Sequence, residues 1–172
     1  MEVAGCGRCD GQGPLGGDLI GPNPTDRAKA GSKKSILVDG AGGPLSVVVA
    51  GANVNDFKLL RATLEAVVID RPACVQHLCL DKGYDNAVGE LETIINGYVP
   101  HIRRIGEEKL DNKGNKRKKA RRWVVERTLA WLSKCRTLLV RYEKKSSNYL
   151  GLVKLACALL WFRRYHRLTV LG

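Results

Sequence analysis

The sequence predicts a mixed α/β layer fold, a sheet covered by helices, and three observations carry that expectation. Two short aliphatic runs, Ser35-Ile36-Leu37-Val38-Asp39-Gly40 and Pro44-Leu45-Ser46-Val47-Val48-Val49-Ala50, flank the turn Asp39-Gly40-Ala41-Gly42-Gly43, the pattern of a β-hairpin. Apolar residues at helical spacing then alternate with further short strand-like runs. A chain of 172 residues that is 44% hydrophobic can bury one respectable core, which points to one domain.

Taken in order, the first 31 residues are mostly glycine, proline and small polar groups, ending in Gly21-Pro22-Asn23-Pro24-Thr25-Asp26-Arg27, and promise no lasting regular element. After the hairpin, Asn55 or Asp56 caps a helix in which Leu59, Leu60, Thr63, Leu64, Val67 and Val68 recur at helical spacing until Arg71-Pro72 stops it. A strand follows over Val75 to Leu80 and ends in Asp81-Lys82-Gly83-Tyr84-Asp85. Asp85 or Asn86 then caps a short helix with Val88, Leu91, Ile94 and Ile95 on one side, closed by Gly97, and Tyr98 to Ile102 reads as a further strand. Residues 106–120 carry charge, glycine and asparagine with too little apolar surface to pack, and are expected to form a mobile basic loop. Two helices close the chain, about Arg121 to Tyr142 and about Asn148 to Tyr165.

Charge narrows the partner. Residues 101–172 hold 20 Lys+Arg against 5 Asp+Glu, whereas residues 1–100 hold 9 against 12, so the net +12 comes from the C-terminal part. Cations gathered in this way are the footprint of a polyanion, and neutralising phosphates releases counterions. No run of 18 apolar residues suits a bilayer, and no signal-peptide pattern opens the chain. The chain reads as soluble and intracellular, with no membrane partner and no small-molecule substrate expected. Six cysteines invite zinc through Cys6-x-x-Cys9 and Cys74 to Cys79, but Cys79 lies in an apolar run and Cys135 and Cys157 in helical patterns, where a thiol acts as a small hydrophobe. His77, His101 and His166 have no ligand spacing.

Two carboxylates stand out. Glu126 is a lone acid in Arg121-Arg122-Trp123-Val124-Val125-Glu126-Arg127, and a helix there aligns Arg122, Glu126, Ala130 and Ser133. Such a stripe can hold a cation and a phosphodiester, with the guanidinium gripping the phosphate; the plainer reading is an Arg122/Glu126 surface ion pair. Asp81 stands directly after a strand, where ligands sit in open α/β sheets, or else it is a turn-forming aspartate. An acid from a strand end and an acid from a helix can converge on one hard cation. Trp123 and Trp131 are candidates for stacking on a base, with burial in the core as the commoner role.

The runs at 21–56 (GPNPTDRAKAGSKKSILVDGAGGPLSVVVAGANVND), 77–85 (HLCLDKGYD) and 121–145 (RRWVVERTLAWLSKCRTLLVRYEKK) resemble the DDE transposases of bacterial insertion sequences, of the IS5 type within the broader IS4-like group. The resemblance implies a ribonuclease H-like mixed sheet flanked by helices. It implies metal-dependent phosphodiester cleavage and strand transfer on DNA at element ends and target, using two Mg²⁺ for which Mn²⁺ can substitute, and a homo-oligomer in a synaptic complex. Carried over by position, Asp81 is the second acid, Glu126 the third, and Arg122 the arginine of the glutamate signature. Arg127, Lys134 and the basic loop residues Lys116, Arg117, Lys118 and Lys119 are the expected DNA contacts, with Arg141 on the same basic stripe as Arg127 and Lys134.

Departures from the family pattern are equally specific. Counting back from Gly16-Gly17, the first acid's place falls near Gly7; Asp10 is the nearest acid, but Val3-Ala4-Gly5-Cys6-Gly7-Arg8 makes a poor strand, so the first strand is expected to be doubtful or missing. Asp18 lies beyond the glycine pair and Asp39 belongs to the hairpin turn. Ser133 and Lys119 stand where the signature has lysine and tyrosine, although Lys134 is adjacent. The expected organisation is an irregular, truncated or frameshifted segment over residues 1–20, a catalytic domain over 21–166 and a tail over 167–172. Two functions follow: a transposase that cuts and joins DNA, or a catalytically inactive remnant that only binds it.

Overall fold

In the computed structural model, which describes residues 3–80, 84, 86–102 and 122–170, the mixed sheet flanked by helices is present. Its strands are β1 (Val3–Gln12), β2 (Gly21–Pro22), β3 (Ala30–Val38), β4 (Pro44–Gly51), β5 (His77–Leu80) and β6 (Val99–Ile102). The helices are α1 (Asp56–Glu65), α2 (Ala87–Ile95), α3 (Arg122–Ser133), the single turn α4 (Arg136–Leu139) and α5 (Ser146–Val170). The sheet order is β2-β3-β1-β5-β6, with β4 also paired to β3. The β3–β4 hairpin forms as the sequence predicts, because Asp39 Oδ1 accepts from the amides of Ala41 and Gly43 and closes the turn.

The first strand is where the expectation fails. The segment read as irregular supplies the central strand, β1, antiparallel to β3 from Gly5↔Val38 to Gln12↔Gly31 and parallel to β5 from Val3↔His77 to Gly5↔Cys79. Glycine has poor strand propensity, but here its missing side chain is what the packing requires. A Cβ on Gly7 would lie 2.8 Å from Val125 Cγ2 and 3.1 Å from Leu129 Cδ1, so α3 rests directly on the bare backbone of β1.

Each face of the sheet has its own core. Ile36, Val38 and Val49 pack with Val125, Leu129, Leu132 and Val153 of α3 and α5, while Leu37, Leu78 and Leu80 pack with Leu60 and Leu64 of α1. The helix expected to run from Arg121 to Tyr142 is broken after Ser133, with α4 following. The break lets Val140 form a bridge with Gln12 and the Arg141 amide donate to Gln12 O at 2.7 Å. Arg141 is itself buried, its guanidinium donating to Ser32 Oγ and to the carbonyls of Glu143 and Lys144, which removes it from the expected DNA-facing stripe. No helix among the described residues is long and apolar enough to cross a membrane.

Candidate functional site

Side chains alternate across β1, and that alternation sorts the candidate acids. Odd positions face α3: Gly5 and Gly7 lie under Val125, and Cys9 Sγ is 3.8 Å from Ser133 Oγ. Even positions face the side of α1: Cys6 Sγ approaches Ser35 Oγ, and Arg8 pairs with Asp56 at the first position of α1.

Glu126 is exposed on α3. At 100° per residue it stands roughly 60° from Leu129, on the flank shared with Ser133. Val124 and Thr128 lie on the other flank, against Gly42 of the β3–β4 hairpin. The Glu126 flank therefore overhangs β1 on the side away from that hairpin, the side on which β5 runs parallel to β1. Asp81 follows Leu80, the last residue of β5, and lies outside the described residues, as do Lys116, Arg117, Lys118 and Lys119. Arg122 opens α3.

Asp10 is not brought to Glu126. It belongs to the even set, with Asn23 Nδ2 donating to its Oδ2 at 3.4 Å and its Oδ1 buried without a hydrogen-bond partner among the described residues. With Gln12, Asn23, Asp26 and Lys29 it lines a cavity of about 270 Å³ at the far end of β1. Its strand partner Lys33 is held below the usual lysine range, chiefly by burial and then by the Arg8 charge, with Asp10 acting in the opposite direction. The Lys33 ammonium donates to Asp56 Oδ1 at 2.9 Å and to Val54 O at 2.8 Å.

Position 7, one of the β1 positions facing α3, holds glycine. The apolar walls of Val125 and Leu129 occupy the space a side chain there would enter. Among the described residues no three His, Cys, Asp or Glu groups gather as metal ligands. Among the described residues, a pair of divalent cations bridged by a β1 carboxylate does not fit this arrangement.

The rest of α3 and its C-terminal end carry aromatic and cationic side chains. Trp123 is 54% exposed, so it is not a core residue, and the Arg127 guanidinium lies 4.8 Å over its ring while Nη2 donates to Ala41 O at 2.7 Å. Trp131 is half-buried under Arg163 of α5, and Lys134 is exposed just beyond α3. Sequence reading missed Gly7 as a packing surface, although small residues at 5, 7, 9 and 11 had marked one bare face of a strand.

Comparison with known proteins places these features in context. The family described as "Transposase DDE domain" matches residues 8–161. The "Putative transposase for insertion sequence element IS402" of Burkholderia cepacia is 35% identical over 156 residues, which span 86% of this chain and 70% of that protein.

Proposed function

The chain belongs to the transposase DDE domain family, and from that premise we propose that it acts on insertion-sequence DNA, with Asp81 and Glu126 as the acids of a divalent-metal site for phosphodiester cleavage and strand transfer. The observation that supports this most is the outward flank of α3, where Glu126 stands over the β1–β5 side of the sheet among cations. Arg122, one turn before Glu126, is suited to grip a phosphate, and Arg127 and Lys134 to neutralise the backbone on either side. A bound Mg²⁺ or Mn²⁺ supplies Lewis-acid stabilisation of the phosphoryl oxygens. Asp81 and Glu126 would hold it, and the basic segment at 106–120 would carry the strand. Self-association in a synaptic assembly belongs to the same reading.

A second reading is favoured by Gly7. Without a carboxylate on the α3-facing side of β1, the chain binds DNA through its basic half and does not cut it. The two readings part in one experiment: supercoiled plasmid nicking in Mg²⁺ and in Mn²⁺ by the 172-residue chain, Asp81→Asn and Glu126→Gln, with DNA affinity measured in parallel. Nicking lost in both variants at unchanged or tighter affinity supports cleavage. Nicking that persists in both variants sinks the assignment of the two acids, and salt-sensitive binding with no nicking by any of the three leaves the DNA-binding reading.

A further inference from the structure

Two helices carry their apolar residues outward. On α2 the buried positions are Gly89 and Thr93, while Val88, Leu91, Ile94 and Ile95 are each more than half exposed. These four make one continuous stripe, and Glu92 and Glu90 flank it on its two sides. α2 has no lysine or arginine.

α5 shows the same arrangement with the charge reversed. Its buried residues Tyr149, Val153, Ala156 and Cys157 occupy one side. Leu155, Leu159 and Phe162, spaced i, i+4 and i+7, form the opposite side and are 47–65% exposed. Lys154 and Arg163 flank that stripe, and α5 contains no acid. Contiguous exposed apolar surface rimmed by charge marks a docking face.

The two faces cannot meet within one molecule. α2 packs on α1 and β6, at the β6 edge of the sheet, whereas α5 packs on β4 and the helices of the other sheet face. Each face also opposes its own copy, because α2 against α2 sets Glu90 and Glu92 against like charge, and α5 against α5 sets cation against cation. Only α2 against α5 matches apolar stripe to apolar stripe with opposite charges along both rims. We infer that the occupant of each face is the complementary face of a second copy of this chain, α2 of one protomer on α5 of its partner. Each such pair joins two copies by a heterologous contact. The interface gives a concrete surface to the self-association named above, yet it involves no acid of the metal site.

Sedimentation velocity of the 172-residue chain without DNA or metal tests it, so that a failure here leaves the DNA reading standing and a failure to nick leaves this one standing. The expected result is association to a dimer or a larger assembly. The variants Leu91→Glu/Ile95→Glu on α2 and Leu159→Glu/Phe162→Glu on α5 should each be monomeric alone and associate when mixed one to one, since the mixture retains one intact α2–α5 pair. Glu90→Lys/Glu92→Lys, which disturbs no apolar contact, should weaken association at least about tenfold, and Lys154→Glu/Arg163→Glu added to it should restore affinity. A monomeric parent chain, an assembly insensitive to either pair of apolar substitutions, or charge reversal without rescue overturns the inference; far-UV circular dichroism confirms that each variant compared is folded.

Discussion

At Gly7 a single missing carbon governs both packing and chemistry. A Cβ there would stand 2.8 Å from Val125 Cγ2, closer than real contacts allow. Gly7→Ala should therefore destabilise the chain by about 1–3 kcal/mol, the usual range for overpacking a tight core, read from urea unfolding midpoints. Val125→Ala in the same chain should recover part of that loss, because it removes the methyl groups that collide; losses that simply add would show that the two sites do not touch. The same residue explains why β1 was illegible: glycine and cysteine score as irregular, and only a helix lying on the strand reveals why they are there. Cys6, one position away on the other face, is pushed up to about 12 by burial, against a weaker opposing effect of Ser35, and Cys157 to about 11 by burial. These thiols stay neutral in the folded chain while the unfolded chain ionises near its ordinary value of 9.0. Their contribution is present in full below pH 9.0 and is lost as pH rises through about 11 and 12. Thermal midpoints should fall above that pH, and Cys6→Ala should flatten the fall by roughly 1 kcal/mol per pH unit.

At the scale of elements, periodicity predicted the hairpin, α1, β5, α2, β6 and two closing helices, because each of those signals is local. It overran α1, which stops at Glu65, and it merged α3 and α4 into one helix. The break was hidden because its cause is a contact with β1, far away in sequence. There Lys34, only 2% exposed, donates to Leu138 O at 2.8 Å and to the Tyr149 hydroxyl at 3.1 Å, and that hydroxyl donates to Leu138 O at 2.8 Å. Arg141 lies over the same ring at 5.0 Å. Two buried cations are thus held by carbonyls and an aromatic ring, tying α4 and α5 to β3. Tyr149→Phe keeps the ring and removes one of the two acceptors of a buried ammonium. A loss of about 1–3 kcal/mol is expected in chemical denaturation, the range for leaving a buried polar group unsatisfied. A loss near zero would mean that the carbonyl of Leu138 alone satisfies Lys34.

Across the whole molecule, charge is divided between a slightly acidic N-terminal part and a strongly basic C-terminal part, and the sheet separates the roles the sequence had grouped together. Asp10 and Glu126 were two acids of one expected site, but strand alternation sends them to opposite sides, a distinction invisible while β1 itself was in question. Glu126 and the cations beside it were legible because a lone acid in a basic helix stands out in one dimension as in three. DNA affinity should then rest on the cations, with the acids acting only as opposing charge. Plotted as log K against log salt concentration, binding to a non-specific duplex should be linear, with a slope near −0.9 for each phosphate neutralised. Lys134 is exposed just beyond α3, so Lys134→Ala should reduce that slope by roughly one phosphate's worth and weaken different duplex sequences about equally. Arg141→Met should leave the slope unchanged in folded protein, since its guanidinium is buried among carbonyls and never reaches a phosphate. Glu126→Gln removes a negative charge from the same surface and should tighten binding at low salt, an effect that fades as screening shortens the Debye length to about 8 Å near 0.15 M. Fluorescence anisotropy of a labelled duplex across a salt series measures all three variants at once, and an unchanged slope for Lys134→Ala would take the DNA surface off α3.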